Sequence, residues 1–192
     1  MYTYINAWIL WRWRSNKWIG KLLVKGPNVA LGYYNDVKAT KEAFDGEWFH
    51  TGDLAKIDDE GYIFICGRKK SVIVLKNGKN IFPEEMENLV NKIEGVQESF
   101  IFGKQQTDDK ENIKINVQIV YDKEIIKNVY NVEKIEDINK VILEKIKEIN
   151  AQIPKYKAIR GMILTEEPLI KTTTNKIKRQ ANLDRINAEL QR

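Results

Sequence analysis

Three short stretches of this 192-residue chain carry side chains suited to a phosphorylated or polyhydroxylated ligand. Thr51-Gly52-Asp53 sets a carboxylate beside a glycine, where backbone and ligand can approach closely. Such a carboxylate can accept two hydrogen bonds from a ribose diol, as acidic residues do in dinucleotide sites. Taken alone, the tripeptide is more often an ordinary capping Asp in a tight turn before a strand. Gly67-Arg68 offers a guanidinium whose fixed fork suits sugar or phosphate oxygens, and Lys69 and Lys70 beside it read as a solvated boundary. The run KTTTNKIKR, residues 171–179, is basic and rich in hydroxyls. Within it, Lys176 can act as a mobile point charge on phosphate and carboxylate oxygens during a transfer. Standing alone, that run is more often a solvated basic tail. His50, beside Thr51, is the sole histidine and more often a turn residue than a general base.

Composition narrows the chemistry further. A single cysteine, Cys66, excludes an internal disulfide framework and a zinc site built on several thiolates. With one histidine, His-pair metal sites and most histidine-dependent nucleophile schemes are excluded as well. Hydrophobic residues make up 43%, enough to bury a core, and this argues against global disorder. Lys and Arg number 32 against 27 Asp and Glu, a net +5 in which both signs are plentiful, so a dedicated polycation for nucleic acid is disfavoured. The apolar run Ala7–Trp11 is too short to span a bilayer and lacks the order of a signal peptide, so the expectation is a cytoplasmic chain with no transmembrane segment. Residues 1–19 hold four of the five tryptophans, Trp8, Trp11, Trp13 and Trp18, among three basic residues. An interfacial anchor fits that composition; a stretch with no native role fits it more simply, and it stays unassigned.

The elements that would position these residues follow from periodicity and turn chemistry. Lys21–Lys25 reads as a strand closed by Gly26-Pro27, and a short polar helix spans about 36–44. Leu54–Ile57 and Tyr62–Cys66 flank Asp58-Asp59-Glu60-Gly61, a hairpin signal. The polar break at 67–70 marks a domain boundary. Beyond it, Ser71–Leu75 reads as a strand and Asn77-Gly78 as a turn, and Pro83 opens a helix ended by Gly95. Ser99–Phe102 is a strand. Ile113, Ile115, Val117 and Ile119 alternate with polar residues, which predicts a strand with one wet face. Ile135, Ile138, Ile142, Ile146, Ile149 and Ile153 step by three and four, an amphipathic helix over 133–153 stopped by Pro154. Gly161–Leu164 is a last strand and 180–190 a last helix. The order β-α-β-β-α-β-α predicts an α+β fold, a small mixed α/β domain after residue 68 preceded by a β-rich piece.

Taken in order, the motifs resemble the adenylate-forming superfamily of acyl-CoA synthetases, peptide-synthetase adenylation domains and firefly luciferase. Trp48-Phe49-His50-Thr51-Gly52-Asp53 resembles its Trp-x-x-Thr-Gly-Asp segment. Gly67-Arg68, then Gly78, Ile81, Pro83, Glu85 and Glu87, resemble its Gly-Arg and Gly-x-x-Ile-x-Pro-x-Glu-x-Glu signature, and Thr172–Arg179 its C-terminal lysine motif. The wording of residues 67–85 looks most like the bacterial long-chain acyl-CoA synthetase branch. The resemblance implies a ligase using ATP, a carboxylic acid (a fatty acid in that branch) and coenzyme A. The acid attacks the α-phosphate to give an acyl-adenylate and pyrophosphate, and the thiol of coenzyme A then displaces AMP. By family match Asp53 and Arg68 hold the ribose hydroxyls, and Lys176 bridges carboxylate and phosphate oxygens in the first step. Lys70 falls at the hinge of a rotating domain, and the Gly78 turn lines the pantetheine path.

Two departures qualify that match. Thr174-Asn175 stands where many relatives carry Ser-Gly, and Lys70 where many carry Asp. Asn tolerates the left-handed backbone such a loop uses. Nothing in the sequence resembles the Ser/Thr/Gly-rich phosphate loop or the Thr-Glu that holds magnesium, so any Mg2+ would act through an N-terminal domain these residues do not include. Residues 20–67 then match the end of the large AMP-binding domain and 68–192 the small mobile domain, a combination expected to be inactive alone. One alternative is a stand-alone module that completes a separately encoded N-terminal adenylation domain. Another is a basic nucleic-acid-binding domain, since residues 151–192 carry nine Lys or Arg against four Asp or Glu. That domain would lack the glycine–aromatic strands of single-strand RNA readers.

Overall fold

The computed structural model describes residues 6–10, 19–105 and 113–190, with residues 6–10 and 190 as backbone only. The chain divides into two compact units, Met1–Val72 and Ile73–Arg192. The division falls a few residues beyond the polar break at 67–70.

In the first unit, five strands form one sheet: β1 (Asn6–Leu10), β2 (Ile19–Lys25), β3 (Phe44–Asp45), β4 (Trp48–Ile57) and β5 (Ile63–Arg68). The order is β1-β2-β4-β3, with β5 on the far half of β4, and every pairing is antiparallel. Part of the unassigned head thus has a place, since Asn6–Leu10 pairs along Lys25–Lys21. Trp11, Trp13 and Trp18, on which an interfacial anchor would rest, lie outside the described residues. Helix α1 (Val37–Ala43) starts where the Asp36 side chain accepts the Ala39 N–H at 2.8 Å. The β4–β5 turn closes because Asp58 Oδ1 accepts the Glu60 and Tyr62 amides at 3.1 and 2.8 Å. Among the described residues of this unit the buried apolar side chains are Leu22, Leu23 and Ala55, with Val24 and Ile57 packed against Leu22 and Ala55. Tyr62, Ile63, Phe64 and Ile65 remain 64, 39, 46 and 66% exposed, an apolar stretch rather than a finished surface.

In the second unit a hairpin of β6 (Ile73–Val74) and β7 (Asn80–Ile81) leads into α2 (Pro83–Val90). Strand β8 (Val96–Gln105) pairs antiparallel with β9 (Ile113–Tyr121), and β10 (Ile159–Thr165) pairs parallel with the other edge of β9. Parallel neighbours cannot be joined by a tight turn. The crossover from β9 to β10 consists of α3 (Lys123–Tyr130) and α4 (Ile135–Gln152), and α5 (Arg179–Leu190) closes the chain. The buried stripe of α4 is Ile138, Ile142 and Ile146, one residue per turn, facing Met86, Val90, Ile101, Ile115, Val117 and Ile119. A second cluster, Phe100, Phe102, Val120, Leu169 and Ile186, lies between the sheet and α5.

That second cluster corrects the wet face expected for β9: Gln118 is 1% exposed, because Val120 and its neighbours on that face are packed rather than solvated. Three local readings also change. The strand expected over 71–75 is a 3₁₀ turn, Lys69–Ser71, followed by two-residue β6. The helix from Pro83 stops at Val90, capped by Asn91 N–H on Glu87 O, five residues before Gly95. Thr51-Gly52-Asp53 lies inside β4, not in a turn before a strand.

Candidate functional site

Two groups of candidate residues lie in the first unit. Asp53 and Arg68 face each other across the β4–β5 ladder. Arg68 Nε stands 3.1 Å from Asp53 Oδ1, and its Nη1 donates to Thr51 O at 2.9 Å. The Thr51 hydroxyl donates to Leu22 O at 3.0 Å and accepts the Asp53 amide at 3.0 Å, which ties this stretch to β2. Gly52 has φ +78°, and a β-carbon there would stand 3.4 Å from Arg68 Nη1. Glycine therefore permits both the left-handed backbone and the close guanidinium. The contacts of the pair engage Asp53 Oδ1 and Arg68 Nε and Nη1, and none is found for Asp53 Oδ2 or Arg68 Nη2 among the described residues. Lys70 sits exposed in the 3₁₀ turn, two residues before Val72, where the unit ends. His50 lies half-buried in β4 opposite Leu23, not in a turn.

Gly78 and Lys176 belong to the second unit. Gly78 turns the β6–β7 hairpin at φ +75°, its amide on Leu75 O at 2.8 Å, with Asn77 Oδ1 accepting the Lys79 amide at 3.1 Å. Among the described residues nothing comes within 4 Å of where its β-carbon would stand. Lys79 Nζ lies 4.2 Å from the Tyr156 ring centroid, so the turn rests on the segment before β10.

Lys176 sits in a tight loop whose stem is the bridge between Lys171 and Ile177. The Thr172 amide donates to Lys176 O at 2.8 Å, Thr172 Oγ1 accepts the Lys176 amide at 3.1 Å, and Asn175 takes φ +61°. Asparagine thus fills the left-handed position, a conformation it tolerates better than most residues. Lys176 is exposed, and its ammonium has no partner among the described residues. The loop's base, by contrast, is held tightly. Asn182 in α5, fully buried, exchanges two hydrogen bonds of 2.9 Å with Ile170 and donates a third, also 2.9 Å, to Lys178 O. Lys171 pairs with Glu98 of β8. Arg179 grips Glu87 with both terminal nitrogens, at 2.9 and 2.8 Å.

Glu87 is 6% exposed, and its Oε1 also accepts the Ile101 amide at 2.9 Å. Burial pushes its carboxyl above the ordinary carboxylate range, against the pull of Arg179 in the other direction. The two loops are moored at opposite ends of the sheet. Lys171 holds Glu98, opposite Val120, whereas Ile73 of the Gly78 hairpin packs beside Gly103, opposite Ile115. Five residues of strand separate the moorings, roughly 17 Å. Sequence reasoning placed Glu87 and Arg179 inside motifs but gave them no partner, and it passed over Glu98 and Asn182. A buried Asn three residues after Arg179 carries no periodic or turn signal that would mark it. Among the described residues no group of three or more His, Cys, Asp or Glu is placed to hold a metal ion, and no helix is long and apolar enough to cross a membrane.

The sequence model of the AMP-binding enzyme C-terminal domain family matches residues 70–192. The chain belongs to this family, in the adenylate-forming superfamily, and corresponds to the C-terminal part of such proteins. Among curated relatives, the 2-succinylbenzoate–CoA ligase of Oceanobacillus iheyensis is 42% identical over 85 residues, 44% of this chain and 18% of that protein. The long-chain-fatty-acid–CoA ligase of Escherichia coli is 43% identical over 98 residues, 51% of this chain and 17% of that protein. Among solved structures, the O-succinylbenzoate coenzyme A synthetase of Bacillus subtilis, in complex with ATP and magnesium ion, superposes with a TM-score of 0.72 at 25% identity, covering 94% of this chain and 34% of that one. ATP-bound MatB of Rhodopseudomonas palustris gives a TM-score of 0.65 at 26% identity, covering 92% and 33%. The chain thus spans less than a fifth of these curated relatives and about a third of the solved ones. The relatives do not single out the long-chain branch expected from residues 67–85.

Proposed function

We propose that this chain supplies the C-terminal part of an AMP-forming acid–CoA ligase, with Lys176 as its adenylating lysine. The observation that carries this reading is the Lys176 loop: an exposed ammonium, unpaired among the described residues, on a stem fixed by Asn182, Lys171 and Arg179. A charge so placed can lie between the acid's carboxylate and the α-phosphate, lowering their repulsion as the new P–O bond forms and pyrophosphate leaves. Its base costs little to reorganise, because the stem is already ordered. In the second step the coenzyme A thiolate attacks the acyl carbon and AMP departs, which needs no second cation at the α-phosphate. The Gly78 turn, moored at the other end of the sheet, is assigned to the pantetheine arm of that step. Lys70 is assigned to the hinge between the two.

Asp53 and Arg68 are assigned to the ribose of the nucleotide. Their mutual bond fixes Asp53 Oδ2 to accept and Arg68 Nη2 to donate, a match for two adjacent hydroxyls. The choice of acid rests with a large domain rather than with these residues. Relatives of this segment act on 2-succinylbenzoate and on long-chain fatty acids at near-equal identity, so the segment does not discriminate between them.

The exposed apolar stretch Tyr62–Ile65, beside a core of three buried apolar residues among those described, supports completion of the first unit by further polypeptide. The nucleic-acid reading is the weaker one. Four of the cations in the basic C-terminal run, Lys157, Lys171, Arg179 and Arg185, are already paired with Glu85, Glu98, Glu87 and Glu167. The test is AMP release from ATP, magnesium, coenzyme A and a carboxylic acid. It compares the chain alone with the chain mixed with the large domain of a relative lacking its own C-terminal part. Release only in the mixture supports the reading; no release in the mixture refutes it.

A further inference from the structure

Lys176 is three residues from Arg179, the first residue of α5, and Arg179 reaches back to α2 and to the edge of the sheet. Strand β8 is an edge of the three-stranded sheet, so its outward backbone groups lack a strand partner. At Ile101 both are taken by this one pair of side chains. Glu87 Oε1 accepts the Ile101 amide at 2.9 Å, and Arg179 Nη1 leans on Ile101 O at 3.4 Å. The same Arg179 meets Glu87 through two parallel bonds, touches Glu84 at 3.2 Å, and lies over the Phe100 ring at 5.6 Å. A two-pronged grip fixes direction as well as distance. It therefore sets where the chain leaves the Lys176 loop and enters α5.

We propose that Glu87 and Arg179 are positioning residues that aim the Lys176 loop, acting through the first turn of α5 rather than by touching a substrate. The inference rests on the assignment of Lys176 to the adenylating step. Residues 173–176 of the loop are exposed, so among the described residues only its stem holds the lysine in one place. The sheet supplies the rigid reference: Ile101 is 1% exposed and paired through β9 to the core.

Hydrogen–deuterium exchange on the full chain tests the clamp itself. The Thr172, Lys176 and Lys178 amides, all bonded within the loop or its stem, report on it, and the Val117 and Ile119 amides of β9 report on the core. In Glu87→Gln and in Arg179→Met the loop amides should exchange about tenfold faster with β9 unchanged, as expected for losing a charged hydrogen bond. The double variant should be no faster than either single one, because both remove one interaction. If Arg179→Met unfolds, Arg179→Lys keeps the charge without the fork and should give an intermediate rate. Unchanged loop exchange, or effects that multiply in the double variant, would overturn the clamp.

Positioning is tested in the mixture with a large domain. Glu87→Gln should slow acyl-adenylate formation about tenfold by the same measure, with KM for ATP unchanged. Thioester formation from supplied acyl-adenylate and coenzyme A should be unaffected. Equal loss in both half-reactions would overturn positioning and leave a purely structural pair. If the wild-type mixture forms no adenylate while the exchange results hold, the assignment of Lys176 fails and the clamp stands.

Discussion

A lysine does phosphate chemistry only where its charge is unspent and its backbone is held, and several cations in the second unit fail the first condition. Lys157, Lys171, Arg179 and Arg185 all end on carboxylates. Lys176 does not, among the described residues. Lys176→Ala in the mixture with a large domain should therefore abolish acyl-adenylate formation by about 10²–10³, the usual loss for one transition-state donor. Thioester formation from supplied acyl-adenylate should survive, and isotope exchange between pyrophosphate and ATP measures the first loss directly. Gly78→Ala tests backbone alone, because no atom of the described residues lies within 4 Å of the new methyl. At φ +75° it should destabilise the fold by about 1–2 kcal/mol in urea unfolding.

Asp122 caps α3, and the Ile125 amide above all holds its carboxyl below the ordinary range. A depressed folded pKa means stability that is present above the ordinary carboxylate range and lost as pH falls through the folded value. Asp122→Asn keeps a capping oxygen but no charge. Its unfolding midpoint should trail the wild type at pH 7, and the gap should close toward pH 3. Asp53, Arg68, Gly78, Lys70 and Lys176 stood out as candidates in the sequence because each sits in a short motif with fixed spacing. Glu98 and Asn182 were not, because their meaning comes from partners 73 and 12 residues away.

At the level of elements, the long isoleucine repeat fixed α4 almost to the residue, 135–152 against an expected 133–153. Six apolar positions over five turns leave no other period. Helix α3 went unread because eight residues show too little of any period, although Asp122 and Asn131 mark both its ends. The wet face assigned to β9 shows the limit of alternation as a signal. Polar letters at 114, 116 and 118 describe the first half of the strand, but α5 arrives from 60 residues downstream and covers the second half. Ile142→Ala, at the middle of the buried α4 stripe, should cost about 2–5 kcal/mol in chemical unfolding of the second unit. Leu143→Ala, beside it and 40% exposed, should cost far less. Equal costs would contradict the placement of the stripe.

At the scale of the whole molecule, the two units are built unequally. The second has a continuous core on one face of its sheet and a smaller one on the other. The first has five strands over three buried apolar side chains among the described residues and an exposed apolar stretch at Tyr62–Ile65. That asymmetry is the physical counterpart of the coverage, in which the chain accounts for about a third of the solved relatives. Composition alone gave no sign of it, since 43% hydrophobic residues suit a finished domain and an unfinished one alike. The motifs did, through the absence of a phosphate loop. The most direct test is AMP release by the purified chain with ATP, magnesium, coenzyme A and a panel of carboxylic acids, with and without a separately supplied large domain. Turnover that appears only in the mixture and vanishes with Lys176→Ala is the predicted result. Turnover by the chain alone at the rate of a complete ligase, or turnover in the mixture untouched by that substitution, would contradict it.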